Sequence, residues 1–325
     1  MNAPPQNLYL ESYLAPLAPW LEQADVTDIY VNRPGEIWLE TLGQGPRKIV
    51  VPELTREVLA RLVRQIASVT AQGINREHPL LAASLPGGER VQAVIPPATR
   101  GELALAIRKH VSAGLALDDY RAQGALDRTE VRAASEITKR SSRIEPGQDA
   151  IELLRGAVKA RRNILVSGGT SSGKTTFINA LLKEVPLEER LILIEDTPEL
   201  QIEHENAVGL IAARGDLGEA EVTAEDLLTA SLRMRPDRII LGEIRGPEAV
   251  TFLRTVNTGH PGSMSTIHAD SPERAIDQLA LLVLQAGTQM AWDDVIQYVR
   301  NSLDYIVQLS RVGGRREIAS VLIMD

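Results

Sequence analysis

The sequence predicts an α/β protein built from a small N-terminal α+β domain, a flexible linker, and a C-terminal domain with helices packed on a mostly parallel sheet. Three observations support this. The apolar run Asn163-Ile164-Leu165-Val166-Ser167 enters Gly168-Gly169-Thr170-Ser171-Ser172-Gly173-Lys174-Thr175, and a helical pattern from Thr175 to Lys183 leaves it, giving strand, glycine-rich turn and helix in order. After it, apolar runs ending in acids alternate with helical patterns, the order that builds a parallel sheet. Between Asp127 and Gln148 apolar residues thin out, charges and serines gather, and Pro146-Gly147 closes the stretch. The expected division is therefore 1–126, a linker at 127–147, and 148–325.

In the first domain, Leu10, Leu14, Leu17 and Leu21 recur at helical spacing, but Pro16 and Pro19 interrupt a single helix. The segment is expected to cover the domain. Asp28 to Asn32 and Glu36 to Glu40 read as strands joined at Arg33-Pro34-Gly35, a hairpin. Thr55 caps a helical pattern with Val58, Leu59, Leu62, Val63, Ile66 and Val69 on one face. Arg90 to Ile95 and Glu102 to Arg108 are extended runs.

In the second domain, strands are expected at Leu191 to Glu195, Arg238 to Gly242 and Met264 to His268. Helices are expected from Thr223 to Met234, Pro247 to Val256 and Pro272 to Gln285, with closing strands Tyr305 to Leu309 and Arg316 to Ile323 about Gly313-Gly314.

The glycine-rich turn has a specific chemistry. Gly168 and Gly173 permit backbone conformations that turn successive N–H groups inward, cradling a polyphosphate at a helix N-terminus. Lys174 supplies a positive charge for the β- and γ-phosphates, and Thr175 a hydroxyl suited to Mg²⁺. Thr176 completes the candidate nucleotide contacts with Gly169, Thr170, Ser171 and Ser172. ATP and Mg²⁺ are the expected cofactors.

A bound nucleotide also needs an attacking water oriented, which points to acids at the ends of neighbouring strands. Arg238-Ile239-Ile240-Leu241-Gly242-Glu243 ends in such an acid, and Glu243 is the candidate general base. Leu191-Ile192-Leu193-Ile194-Glu195-Asp196 ends in two, and either can orient water or hydrated Mg²⁺. A strand-end carboxylate also commonly caps the next turn, and that reading stays open for both pairs. His268, ending Thr266-Ile267, can place an imidazole near the γ-phosphate, where its hydrogen bond would change on hydrolysis; a structural role at the strand end is the alternative.

Composition excludes several classes. The 44% apolar content is ordinary for a soluble globular chain, and a net charge of −8 disfavours non-specific nucleic-acid binding. The basic clusters Lys139-Arg140 with Arg143, and Lys159 with Arg161-Arg162, read as solvated helix ends. The absence of cysteine excludes disulfides and thiol chemistry. No apolar run spans a bilayer, and Met1 to Pro5 shows no secretory pattern, so a cytosolic protein with peripheral membrane contact is expected.

Taken together, the phosphate loop, the runs Leu191–Asp196 and Arg238–Glu243, and Thr258-Gly259-His260 through His268-Ala269-Asp270 resemble the Walker A, Asp box, Walker B and His box of the secretion ATPase superfamily. Ser231 through Glu243 resembles its type IV secretion branch, as do Val26-Thr27-Asp28, Val31 to Glu36 and Gly88-Glu89-Arg90-Val91-Gln92. The resemblance implies a homohexameric, Mg²⁺-dependent ATPase with a RecA-like C-terminal domain. It would work with type IV secretion components at the cytoplasmic face of the inner membrane, without sequence-specific nucleic-acid binding. In that family Gly242 is the usual form of Walker B, and the positions of Arg90 and Arg108 face nucleotide; surface ion pairing is the alternative for both. The type II branch commonly has a four-cysteine subdomain, which this chain lacks. A nucleotide-gated scaffold and a pilus or tight-adherence ATPase are the alternative functions. A RecA-like DNA motor is disfavoured by the acidic balance and 3% aromatic content.

Overall fold

The computed structural model describes residues 8–42, 44–109, 150–170, 172–212, 221–312 and 315–324. The expected linker at 127–147, the cluster Lys139-Arg140-Arg143, Ser171 and the Gly313-Gly314 turn lie outside them.

Helices α1 (Leu8–Leu14) and α2 (Ala18–Leu21) are separated where Pro16 interrupts, and Pro19 starts the second helix. Leu10 and Leu17 are buried in the first core, so the segment is a cover. Six strands follow: β1 (Val26–Val31), β2 (Glu36–Thr41), β3 (Gln44–Val50), β4 (Leu80–Ser84), β5 (Arg90–Val94) and β6 (Ala104–Arg108). They form one antiparallel sheet in the order β3-β2-β1-β6-β5-β4. Helix α3 (Arg56–Val69) is capped by Thr55, whose hydroxyl accepts from Val58 N at 3.3 Å. It buries Leu59, Leu62, Val63 and Ile66 against the sheet. Each such side chain contributes about 1.5–3 kcal/mol.

The second half holds α4 (Ala150–Lys159), β7 (Ile164–Gly168), α5 (Lys174–Leu182), β8 (Leu191–Glu195), β9 (Ala207–Ile211), α6 (Ala224–Ser231), β10 (Arg238–Leu241), α7 (Glu248–Asn257), β11 (Met264–Ile267), α8 (Pro272–Gln285), α9 (Trp292–Ser302), β12 (Tyr305–Val312) and β13 (Arg315–Ile323). The seven-stranded sheet runs β13-β12-β7-β11-β10-β8-β9, parallel throughout except for β12 with β13. β7, β8, β10 and β11 are buried along their whole length, as a parallel sheet covered on both faces requires. This order places the chain segments leaving β7, β11, β10 and β8 in a row along one sheet edge.

Arg161 and Arg162 lie just past the end of α4 with side chains 41% and 37% exposed, as solvated helix ends, and they also form ion pairs. Arg161 pairs with Glu189 at 3.3 Å and Asp237 at 3.6 Å, and Arg162 with Asp304 at 3.2 Å. The partners come from distant loops, so spacing along the chain could not show them.

Candidate nucleotide site

The phosphate loop follows its sequence closely. Gly173 is the N-cap of α5 with φ +98°, a conformation a side chain disfavours. At Gly168 a Cβ would lie 2.9 Å from Leu309 O and closer still to the Ser172 hydroxyl, so only glycine fits. The Ser172 hydroxyl is buried and has no hydrogen-bond partner. Lys174 donates to Gly168 O at 2.9 Å and Gly169 O at 3.2 Å. Its ammonium rests on the carbonyls of its own loop. Burial pulls its pKa down, opposed by the nearby Glu243 charge and reinforced by Arg245.

The row of strand ends supplies the rest. His268, one residue beyond β11, places Nδ1 at 3.2 Å and Nε2 at 3.4 Å from Lys174 Nζ. Glu243, two residues beyond β10, has Oε1 at 3.0 Å from His268 Nε2, without hydrogen-bond geometry. Its Oε2 accepts from Arg245 Nη2 at 2.6 Å. Arg245 also stands 3.5 Å from Asp196. Thr175, Glu195, Asp196, Gly242, Glu243 and Arg245 line one cavity of about 110 Å³. Lys174, Thr175, Glu195, Asp196, Glu243 and His268 are thus brought together.

Glu195 lines this cavity as a bound acid. Its Oε2 accepts from Glu199 N at 2.8 Å and Leu200 N at 2.7 Å, while Oε1 accepts from Arg100. Burial raises its pKa, opposed by those backbone bonds and then by Arg100. A Cβ at Gly242 would lie 3.3 Å from Glu195 Cγ; Glu195 takes up room that a residue larger than glycine would need.

Arg90 and Arg108 face each other across β5 and β6. With Thr70, Gln72 and Arg233 they line a different cavity of about 500 Å³, and Arg108 Nε stands 3.5 Å from Asp28. Within one chain they do not line the cavity beside Thr175. Sequence reasoning missed Arg245, which follows Glu243 by two residues, and Arg100, which lies in the other half of the chain.

A family model described as "Type II/IV secretion system protein" matches residues 11–314. The chain belongs to that family. It is 35% identical over 324 residues to the type IV secretion system protein VirB11 of Bartonella quintana, covering 95% of this chain and 91% of that protein. It is 38% identical over 333 residues to the type IV secretion system protein PtlH of Bordetella pertussis, covering 99% and 97%. The crystal structure of the VirB11 ATPase from the Brucella suis type IV secretion system, in complex with sulphate, superposes with a TM-score of 0.88 at 36% identity, covering 98% of this chain and 95% of that one. As a member of this secretion family the chain has the α/β fold expected from its motifs, and among the described residues no helix is long and apolar enough to cross a membrane.

Proposed function

We propose that the chain is a Mg²⁺-dependent ATPase that assembles as a homohexamer and powers substrate export and pilus assembly by a type IV secretion system at the cytoplasmic face of the inner membrane. The observation that carries the chemistry is the convergence of Lys174, Thr175, Asp196 and Glu243 on one side of the phosphate loop. Its support in the family is the kinship with VirB11 proteins.

The residues fit a magnesium nucleotide. Ser172 offers a buried, unpartnered hydroxyl and Glu243 an oxygen without a hydrogen bond. Thr175 and Asp196 supply the hard oxygens Mg²⁺ prefers. When bound, Mg²⁺ neutralises charge on the β- and γ-phosphates. Lys174 leaves the Gly168 and Gly169 carbonyls for the phosphates, Glu243 takes the proton of the attacking water, and His268, beside Lys174, is placed to meet the γ-phosphate. Glu195 orders the loop that holds Asp196. A second cavity, of about 260 Å³, lined by Gly173, Thr176, Phe177, Ala180, Leu309 and Ile318, adjoins the loop and suits the base.

The division at 127–147 belongs to the same proposal. Arg90 and Arg108 would meet phosphates held by a neighbouring copy, for which guanidinium groups are well shaped. The test is phosphate release with native mass by light scattering. A hexamer whose hydrolysis disappears in Lys174→Ala is expected; hydrolysis at the wild-type rate in that variant would overturn the assignment.

A further inference from the structure

The segment Ala98–Arg100, between β5 and β6 of the first domain, lies on the outer edge of the second domain's sheet. Thr99 forms an antiparallel bridge with Leu210 on β9. Arg100 N donates to Gly209 O at 2.9 Å and Ile211 N to Ala98 O at 3.1 Å, and the Thr99 hydroxyl reaches Gly209 O at 3.3 Å. One domain thereby forms a single antiparallel bridge with the edge of the other's sheet.

The side chain of Arg100 continues inward across Gly209. A Cβ there would lie 2.5 Å from Arg100 Cδ, so the glycine leaves the passage open. Beyond it the guanidinium donates to Leu200 O at 3.0 Å and to Glu195 Oε1. Glu195, whose side chain is 3% exposed, accepts with its other oxygen from Glu199 N and Leu200 N. Arg100 and Glu195 thus close both ends of the loop 196–200, which lines the cavity beside Thr175 through Asp196 and Glu199.

We infer that Arg100 is a positioning residue for hydrolysis: it fixes, from the first domain, the acid loop that presents Asp196 to the magnesium nucleotide. A movement of the first domain relative to the second would pull this arginine and loosen the loop. The inference rests on the ATPase reading above.

The experiment compares wild type, Arg100→Ala, Arg100→Lys, Gly209→Ala, Glu195→Gln and the Arg100→Ala/Glu195→Gln double variant, with Lys174→Ala alongside. The readouts are kcat and KM for ATP, the Mg²⁺ concentration for half-maximal rate, and amide hydrogen exchange without nucleotide. Arg100→Ala is expected to lower kcat about tenfold, with a smaller change in KM, and to raise the Mg²⁺ requirement. The Glu199 and Leu200 amides should lose protection while the β8 amides keep theirs. Arg100→Lys restores part of the loss, and Gly209→Ala, which displaces the arginine stem but keeps its charge, moves every readout in the same direction. The double variant is expected to be no worse than Glu195→Gln. Wild-type kcat, Mg²⁺ dependence and exchange in Arg100→Ala, or losses that add in the double variant, would overturn the inference. An inactive Lys174→Ala beside a wild-type Arg100→Ala defeats this inference alone. A Lys174→Ala that hydrolyses normally defeats the ATPase reading, and the inference with it. If Arg100→Ala does not fold, Arg100→Lys and Gly209→Ala decide by the same readouts.

Discussion

Arg245 donates to Glu243 at 2.6 Å and stands 3.5 Å from Asp196, so a single guanidinium joins the acids that follow β10 and β8. The hydrogen bond to Glu243 is also the main reason its own pKa is raised, ahead of the opposing effect of burial. The backbone beneath it is fixed, because Arg245 N and Gly246 N both donate to Glu248 Oε1, at 2.7 and 2.9 Å. The side chain is half exposed and can swing away. Removing it leaves two acids facing one cavity, which favours a divalent cation. Arg245→Ala is expected to lower the Mg²⁺ concentration for half-maximal ATPase by roughly fivefold, equivalent to about 1 kcal/mol for a partly exposed pair. A titration of rate against Mg²⁺ checks this, and an unchanged or higher requirement counts against it.

Glu243→Gln preserves shape and the contact to Arg245 but removes basicity. The variant is expected to bind ATP with near wild-type affinity while kcat falls a hundredfold or more. Equilibrium binding and steady-state phosphate release separate the two. Wild-type turnover would move the base elsewhere.

The second-domain sheet was legible because β7, β8 and β10 are largely apolar runs ending at or before a glycine or an acid, and a strand covered on both faces has that pattern. β9 was missed: the sequence neighbours of Ala207 to Ile211 do not mark it. β3 was missed because its residues are largely exposed and polar, and α9 was missed although Val295, Ile296 and Val299 recur at helical spacing. Within the site, the loop, Glu243 and His268 were readable from local motifs. Arg100 was not, since its meaning depends on a partner 95 residues away, which neither spacing nor periodicity encodes.

The same limit applies to Arg190, fully buried between the two halves. It stacks 4.0 Å from the centroid of Tyr30 and donates to Asn32 at 3.0 Å, Asn206 at 2.6 Å and Met234 O at 2.9 Å. A lysine cannot reproduce the fork or the stack. Arg190→Lys is expected to destabilise the fold by about 2 kcal/mol, seen as a lower urea midpoint. An unchanged midpoint would show that the stack contributes nothing.

Glu189 accepts from Arg238 at 2.6 and 2.9 Å, and the Arg238 side chain is 0% exposed. Burial pushes the Glu189 carboxyl up, but Arg238 and then Arg161 outweigh it and the pKa is lowered below 4.5. A lowered folded pKa means stability that is present above the unfolded value and lost as pH falls through the folded one. Glu189→Ala, which strands the buried guanidinium, is expected to cost about 3–5 kcal/mol at neutral pH and to flatten the loss of stability below about pH 4.5. Urea unfolding at pH 7 and at pH 4 measures both; wild-type stability with the wild-type acid slope would contradict the pairing.

The central claim is that Lys174 and the acids around Thr175 form a magnesium nucleotide site, and equilibrium titration with a fluorescent ATP analogue tests it most directly. Wild type is expected to bind saturably and more tightly with Mg²⁺ than with EDTA, and Lys174→Ala to lose most of that affinity while keeping its fold by circular dichroism. Equal affinity in the two proteins, or binding indifferent to Mg²⁺, would contradict it.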